Sequence, residues 1–228
     1  MRIAEIYRSV QGEGFLTGVP SVFVRASGCN LRCWFCDTPY ASWRPEGADM
    51  ATDEIVSQVE EWDTQHVVVT GGEPMLFAEL VPLCRRLREI GRHVTIETAG
   101  TLHLSVECDL MSISPKFAGS APDAKAHAHW HRRHERERHR PEVIRQLLAE
   151  YEYQLKFVVD GLEDLDAVRG YMAEFPQIDR ERVLLMPQGT DSEQLEARTV
   201  WLKPFCELEG FVFCPRKQIE WYGAVRGT

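Results

Sequence analysis

Cys29, Cys33 and Cys36 stand in the pattern C-x3-C-x2-C, directly after the short β-branched and aromatic run that ends at Val24. That spacing lets three thiolates converge on one small inorganic object. A cubane iron–sulfur cluster normally takes four cysteines, so a triplet without a nearby fourth suggests a cluster with one open iron. The competing reading is a zinc site completed by a distant Cys or His. A second motif, Thr70-Gly71-Gly72-Glu73-Pro74, closes an apolar run, and its two glycines let backbone approach a ligand closely.

The other cysteines, Cys84, Cys108, Cys206 and Cys214, stand singly among apolar neighbours and read as small buried hydrophobes. Seven cysteines cannot all pair within one chain, and Met1 to Val10 carries Arg2, Glu5 and Arg8, unlike a signal peptide. Reduced thiols in the cytoplasm are therefore expected. A formal net charge of −9 argues against a sequence-blind nucleic-acid binder. No run of eighteen apolar residues offers a membrane span. At 228 residues, 44% of them hydrophobic, the chain is expected to form a single domain over residues 1–228 with a sizeable core.

These motifs need elements to position them. Ile3 to Tyr7 and Ser21 to Arg25 read as strands separated by the turn Gln11-Gly12-Glu13-Gly14. A helix is expected over about Thr52 to Trp62, with Ile55, Val56, Val59 and Trp62 on one face. Val67 to Thr70 is a strand, and the next helix carries Leu76, Leu80, Leu83, Cys84, Leu87 and Ile90 before Gly91. Val94 to Thr98 and Asp109 to Ser114 are strands with too little chain between them for a crossover helix. Helices over Pro141–Tyr151, Leu162–Met172 and Ser192–Leu208 then alternate with strands at Tyr153–Val159, Val183–Met186 and Phe211–Phe213, and a polar tail follows.

Near-continuous apolar strands joined by helices imply a mostly parallel sheet covered on both faces. Polar residues recur where these strands end, which is where the site of an α/β barrel gathers. The expected architecture is an incomplete (β/α) barrel of about six mostly parallel strands, with some crossover helices missing. No G-x-G-x-x-G opens a helix, as the competing doubly wound sheet would favour. The stretch 118–140, with five histidines between His127 and His139 among Arg, Glu and Ala, has almost no apolar anchor. It reads as a solvated, partly disordered loop or helix, a mobile insertion able to cover a pocket.

The cysteine triplet with Thr70-Gly71-Gly72-Glu73-Pro74 downstream resembles the radical S-adenosylmethionine (SAM) enzymes. Within them the chain resembles the 7-carboxy-7-deazaguanine synthase family. Ser9 to Gly14, Phe23-Val24-Arg25, Cys36-Asp37-Thr38, Glu97 to Gly100, Ser114-Pro115-Lys116, Tyr153 to Val158 and Pro215-Arg216 carry that resemblance. It implies a [4Fe–4S] cluster on Cys29, Cys33 and Cys36, with SAM chelated at the open iron and cleaved to a 5′-deoxyadenosyl radical. No catalytic side chain is implied beyond cluster and cofactor. Phe35, Gly72, Glu73, Ser114, Pro115, Lys116 and Gln154 are the residues expected to hold SAM.

The substrate implied is 6-carboxy-5,6,7,8-tetrahydropterin, which loses ammonia on ring contraction to a deazapurine in queuosine biosynthesis. Gln11, Gly12, Glu13, Arg25 and Thr70 are expected to bind it, with Arg25 offering its carboxylate a planar fork. The resemblance also implies Mg2+ held by Thr38, although Asp37 is the stronger ligand on chemistry alone. An electron donor such as flavodoxin or ferredoxin and a homodimer are the partners implied, with neither nucleic acid nor membrane. A glycyl-radical-enzyme activase shares the triplet and a similar glycine motif, but leaves the Gln11-Gly12-Glu13-Gly14 turn and Arg25 without a task.

Overall fold

The computed structural model describes residues 1–228. One sheet holds β1 (Arg2–Val10), β2 (Pro20–Ala26), β3 (Ala48–Asp49), β4 (His66–Gly71), β5 (His93–Thr98), β6 (Leu110–Ile113), β7 (Tyr153–Val159), β8 (Val183–Pro187) and β9 (Val212–Phe213). Their order is β3-β1-β2-β4-β5-β6-β7-β8-β9. From β2 to β9 every neighbouring pair is parallel, while β1 runs antiparallel to both β2 and β3. The edge strands do not pair with each other, so the sheet stays open, as expected for an incomplete barrel. The parallel run is seven strands long, close to the six or so expected, and ends in the two-residue β9 beside β8.

Burial follows the sequence pattern. Val67, Val68, Val69 and Thr70 of β4 are all buried, as a strand covered on both faces requires. Helix α1 (Thr52–Glu60) buries Ile55, Val56 and Val59 against the sheet. Helix α2 (Leu80–Glu89) buries Leu80, Leu83, Cys84 and Leu87, the i, i+3, i+4, i+7 face of a surface helix. It begins four residues later than Leu76, because Pro74–Leu76 forms a separate 3-10 turn in which the Glu73 carboxylate accepts from Met75 N. Cys84 and Cys206 lie in the main core and Cys214 in a small cluster with Leu184 and Met186. Cys108 is half-buried beside the core.

No helix joins β5 to β6. The next crossover is long and carries two helices, α3 (Ala128–Glu137) and α4 (Pro141–Glu150). Helix α3 falls in the stretch expected to be solvated, and His134 within it is fully buried. After α5 (Leu162–Glu174) and α6 (Ser192–Glu209), the tail forms a short helix α7 (Lys217–Tyr222) that buries Ile219. No helix is long and apolar enough to cross a membrane.

One close approach governs how the cysteine loop leaves the sheet. Strand β4 ends beside β2, with Thr70 opposite Arg25 and Gly71 opposite Ala26. Gly71 has φ 132°, a conformation open to glycine, and a Cβ there would collide with the Ala26 backbone. A Cβ on Gly72 would overlap the carbonyl oxygens of Gly28 and Ala41. The two glycines thus let β4 end flat against the chain entering the cysteine loop, where Glu73 N donates to Gly28 O at 2.8 Å. Gly72→Ala is expected to lose about 1–3 kcal/mol of stability in urea denaturation, the cost of overpacking against rigid backbone. Gly170→Ala, at an exposed position of α5 with nothing within 4 Å of the new methyl, is expected to gain about 0.4–1 kcal/mol.

Candidate active site

A cavity of 420 Å³ opens at the C-terminal ends of the parallel strands. Arg25 reaches it from β2, Thr70 from β4, Glu97 and Thr98 from β5, Ser112 from β6, Lys156 from β7 and Met186 from β8. This is the end at which barrel-type α/β folds carry their sites, because strands here turn into loops free to carry polar groups.

Cys29, Cys33 and Cys36 line one wall, and none is in a disulfide. Burial pushes the Cys29 and Cys33 thiols up to about 12, with Glu73 adding to the rise at Cys29. Without a cation these two sulfurs are therefore neutral, and binding a metal centre must displace their protons. No three His, Cys, Asp or Glu side chains converge as a single metal ion demands. A cluster places its thiolate ligands on separate irons, so a shared cavity wall is what the triplet has to supply. These residues fit that group. The loop is also well supported: Cys36 Sγ lies 3.1 Å from Ser42 Oγ, and Trp43 Nε1 donates to Cys33 O at 3.0 Å.

Opposite the cysteines sits a network of buried charge. Lys156 Nζ donates to Glu13 Oε2 at 2.5 Å and to Glu97 Oε1 at 3.1 Å. Glu97 also accepts from Thr70 Oγ1 at 2.6 Å. Arg216 donates to Glu13 at 3.1 Å, to Gly189 O at 2.6 Å and to Asp37. Burial alone would raise Glu13 and lower Lys156. The charges of Lys156 and Arg216 outweigh it at Glu13, holding that carboxyl at about 2, and the carboxylates of Glu13 and Glu97 outweigh it at Lys156, holding the ammonium above the ordinary lysine range.

Of the expected residues, Gln11, Gly12, Glu13, Arg25, Thr70, Phe35, Gly72, Ser114, Lys116, Thr38 and the three cysteines all line this one cavity. Glu73, Pro115 and Gln154 do not. The Glu73 carboxylate is fully buried and accepts from Thr98 Oγ1, Ala99 N and Met75 N, so it ties the end of β4 to that of β5. Gln154 accepts from Phe15 N at 2.8 Å and donates to Ser112 Oγ at 2.8 Å, which fixes the turn carrying Glu13. Both are positioning residues. Ser114 and Lys116 face the cavity bonded to each other, Lys116 Nζ donating to Ser114 Oγ at 2.8 Å.

Arg25 is held on two sides: Nε donates to Glu5 at 2.7 Å and Nη2 to Tyr7 Oη at 2.7 Å. Its Nη1 has no protein partner. Asp37 is engaged by Arg216, while Thr38 lines the cavity two residues from Cys36. Lys156, Glu97 and Arg216 were not singled out as site residues from sequence, although a lysine inside the apolar strand Tyr153–Val159 was a visible signal. The tail from Gly223 to Thr228 also lines the cavity. Arg226 anchors it, pairing with Glu5 at 3.0 Å and Glu46 at 2.9 Å and lying 4.0 Å above the Tyr40 ring.

The histidine-rich stretch braces the cysteine loop from outside. His134 Nδ1 accepts from Arg32 N at 3.1 Å, and its Nε2 lies 2.8 Å from Ser120 Oγ, whose own hydroxyl donates to Phe117 O. Only the neutral Nε2–H tautomer satisfies both contacts. Burial, with Arg138 and Lys116 adding to it, brings the His134 pKa down to about 4.

Residues 23–150 match the Radical SAM superfamily. The chain is 47% identical over 227 residues to the 7-carboxy-7-deazaguanine synthase of Rhodopirellula baltica, covering 99% of this chain and 88% of that one. It is 42% identical to the enzyme of the same name from Halobacterium salinarum, covering 95% of this chain and 88% of that relative. Among solved structures, that of QueE from Escherichia coli superposes with a TM-score of 0.70 at 21% identity, covering 95% of this chain and 93% of the other. That last likeness concerns the fold.

Because Glu13 is ionised well below the usual carboxylate pKa, it stabilises the fold above about pH 4.5, and that contribution drains away as pH falls toward 2. Glu13→Gln leaves Lys156 and Arg216 short of a partner and is expected to cost roughly 3–5 kcal/mol at pH 7. Urea titrations at several pH values should show that loss, together with a shallower acid limb between pH 4.5 and 2.

Proposed function

The chain belongs to the 7-carboxy-7-deazaguanine synthase family of radical SAM enzymes, and we infer that it converts 6-carboxy-5,6,7,8-tetrahydropterin to 7-carboxy-7-deazaguanine with loss of ammonia. The observation that supports this most is the cavity itself, which sets three cysteines against a buried array of carboxylates and cations. A glycyl-radical activase acting on a protein partner has no need of that array.

Cys29, Cys33 and Cys36 would hold a [4Fe–4S] cluster, and Phe35, Gly72, Ser114 and Lys116 would lie against SAM. When bound, this pair supplies the one-electron chemistry that starts the reaction by removing a hydrogen atom from the substrate. The side chains of this protein bind, orient and shield. Gly72 lines the cavity while Glu73 is buried away from it, so the motif's glycine rather than its carboxylate would lie against the cofactor. Lys116 places a cation beside Cys33, and its charge opposes the rise of that thiol's pKa.

The pterin would lie across the charge network. Its carboxylate finds Arg25, whose Nη1 is unengaged and whose other nitrogens are fixed by Glu5 and Tyr7. Its donor-rich edge meets the carboxylate oxygens of Glu13 and Glu97, which Lys156 holds in place. Thr70, with its proton directed to Glu97, offers acceptor lone pairs. Thr38 is the protein's Mg2+ ligand in this reading, because Asp37 is already paired with Arg216. The tail and α7 close the remaining side, with Gln218 donating to Glu13 at 2.5 Å.

Anaerobic turnover of the reconstituted protein with SAM, Mg2+ and the tetrahydropterin, read by product mass, is expected to give the deazaguanine and one ammonia. 5′-Deoxyadenosine without deazaguanine would refute the assignment. Arg25→Lys keeps a cation beside Glu5 but loses the planar fork. It is expected to weaken substrate binding by about 1.5–3 kcal/mol in equilibrium titration while SAM affinity and iron content stay at wild-type values.

A further inference from the structure

The cysteine loop has two faces. Cys29 lines the main cavity, while Asn30, the next residue, lines a second hollow of 350 Å³ on the outside of the loop. That hollow is also lined by Leu76, Leu102 and Glu137, and opposite Asn30 stand His129, Arg132, Arg133 and Arg136 of α3. They occupy i, i+3, i+4 and i+7 and so form one continuous helix face. Between residues 125 and 140 there are six Lys and Arg against two Glu, in a chain whose formal net charge is −9.

This face keeps a net positive charge, carried by Arg132 and Arg133, while Arg136 is offset by Glu137. Glu135 is paired with Arg138, and Glu137 is shared by Arg136 and Arg140. Arg132 and Arg133 have no carboxylate partner. The buried Arg32 of the cysteine loop stacks 3.8 Å from the Trp130 ring, with Arg133 at 5.2 Å from the same ring. Nor does the face move freely with respect to the loop. His134 and the Arg32–Trp130 stack clamp α3 onto it, and Trp34 Nε1 donates to Gly119 O at 2.8 Å just ahead of the helix. Asn30 Oδ1 is buried with no protein partner on this same side.

A rigid basic face against the outer side of a redox-centre loop, in an otherwise acidic protein, fits one task. We propose that this face of α3 docks a small acidic electron-carrier protein, which reduces the cluster through the Asn30 side of the loop. The proposal rests on the radical SAM reading, since that chemistry draws one electron from outside. In the docked complex the carrier's prosthetic group is oxidised by one electron and the cluster reduced by one, with no bond made or broken. The main cavity holds cofactor and substrate, which leaves the outer face of the loop as the short route for that electron. Opposite charge accelerates such encounters and makes them salt-dependent.

The test compares the reconstituted full-length holoenzyme with its Arg132→Glu/Arg133→Glu variant, using an acidic flavodoxin as the probe. SAM cleavage driven by reduced flavodoxin should fall about tenfold or more in the variant at low salt. Cleavage driven by dithionite, which needs no docking surface, should stay within about twofold. Calorimetry with oxidised flavodoxin should show the same loss of affinity, and wild-type affinity should fall as salt is raised. Unchanged flavodoxin coupling and affinity would overturn the proposal. So would an equal fall under both reductants, or a variant that loses affinity for RNA and not for flavodoxin. Calorimetry reads docking whatever product is made, so a failed product assignment and a failed docking assignment remain distinguishable.

Discussion

The ion pair between Lys156 and Glu13 is the interaction on which the site depends. An ammonium group inside a strand of a parallel sheet is tolerated only when carboxylates offset its lost hydration. Glu13 comes from the turn after β1 and Glu97 from the end of β5. Through Glu13 the network takes in Arg216, and through Arg216 it reaches Asp37 at the end of the cysteine loop. Five distant parts of the chain are thus brought to one cavity by a single demand for charge balance. The same groups are left with acceptor and donor capacity facing inward, where a pterin would use it.

A second constraint acts on the cysteine loop from below. The loop leaves β2 where β4 ends, and the missing side chains of Gly71 and Gly72 let the two backbones meet. Glu73, buried behind them, ties β4 to β5 through Thr98 and Ala99. The motif that looked like a set of cofactor contacts is therefore partly structural: glycine backbone faces the cavity while the carboxylate holds two strand ends in register. From outside, His134 holds Arg32 N, so the loop is fixed on both faces before any cluster binds.

Much of this was readable in the chain. The cysteine triplet needs only local spacing, and the strands and helices follow periods of two and of three to four residues. Polar residues at strand ends placed the cavity correctly. What the sequence hid were long-range pairings: Arg216 meets Glu13 across 203 residues, and no local pattern encodes that. Helix α3 was hidden for another reason. Its inner side is made of a half-buried Trp130 and a neutral, buried His134, and histidines among arginines look solvated until a specific donor and acceptor, Arg32 N–H and Ser120 Oγ, are seen to use both ring nitrogens. Asp37, the stronger Mg2+ ligand by chemistry alone, turned out to be committed to Arg216.

The central claim is that one cavity brings the cysteine triplet and the Glu13–Lys156–Arg216 network to the same substrate. A crystal structure of the anaerobically reconstituted protein with SAM and the tetrahydropterin, with iron located by anomalous diffraction, tests it most directly. The account predicts iron at Cys29, Cys33 and Cys36, with the pterin ring against Glu13 and its carboxylate on Arg25. Iron at those cysteines with the pterin bound away from Glu13 and Arg25, or a single metal ion in place of the cluster, would contradict it.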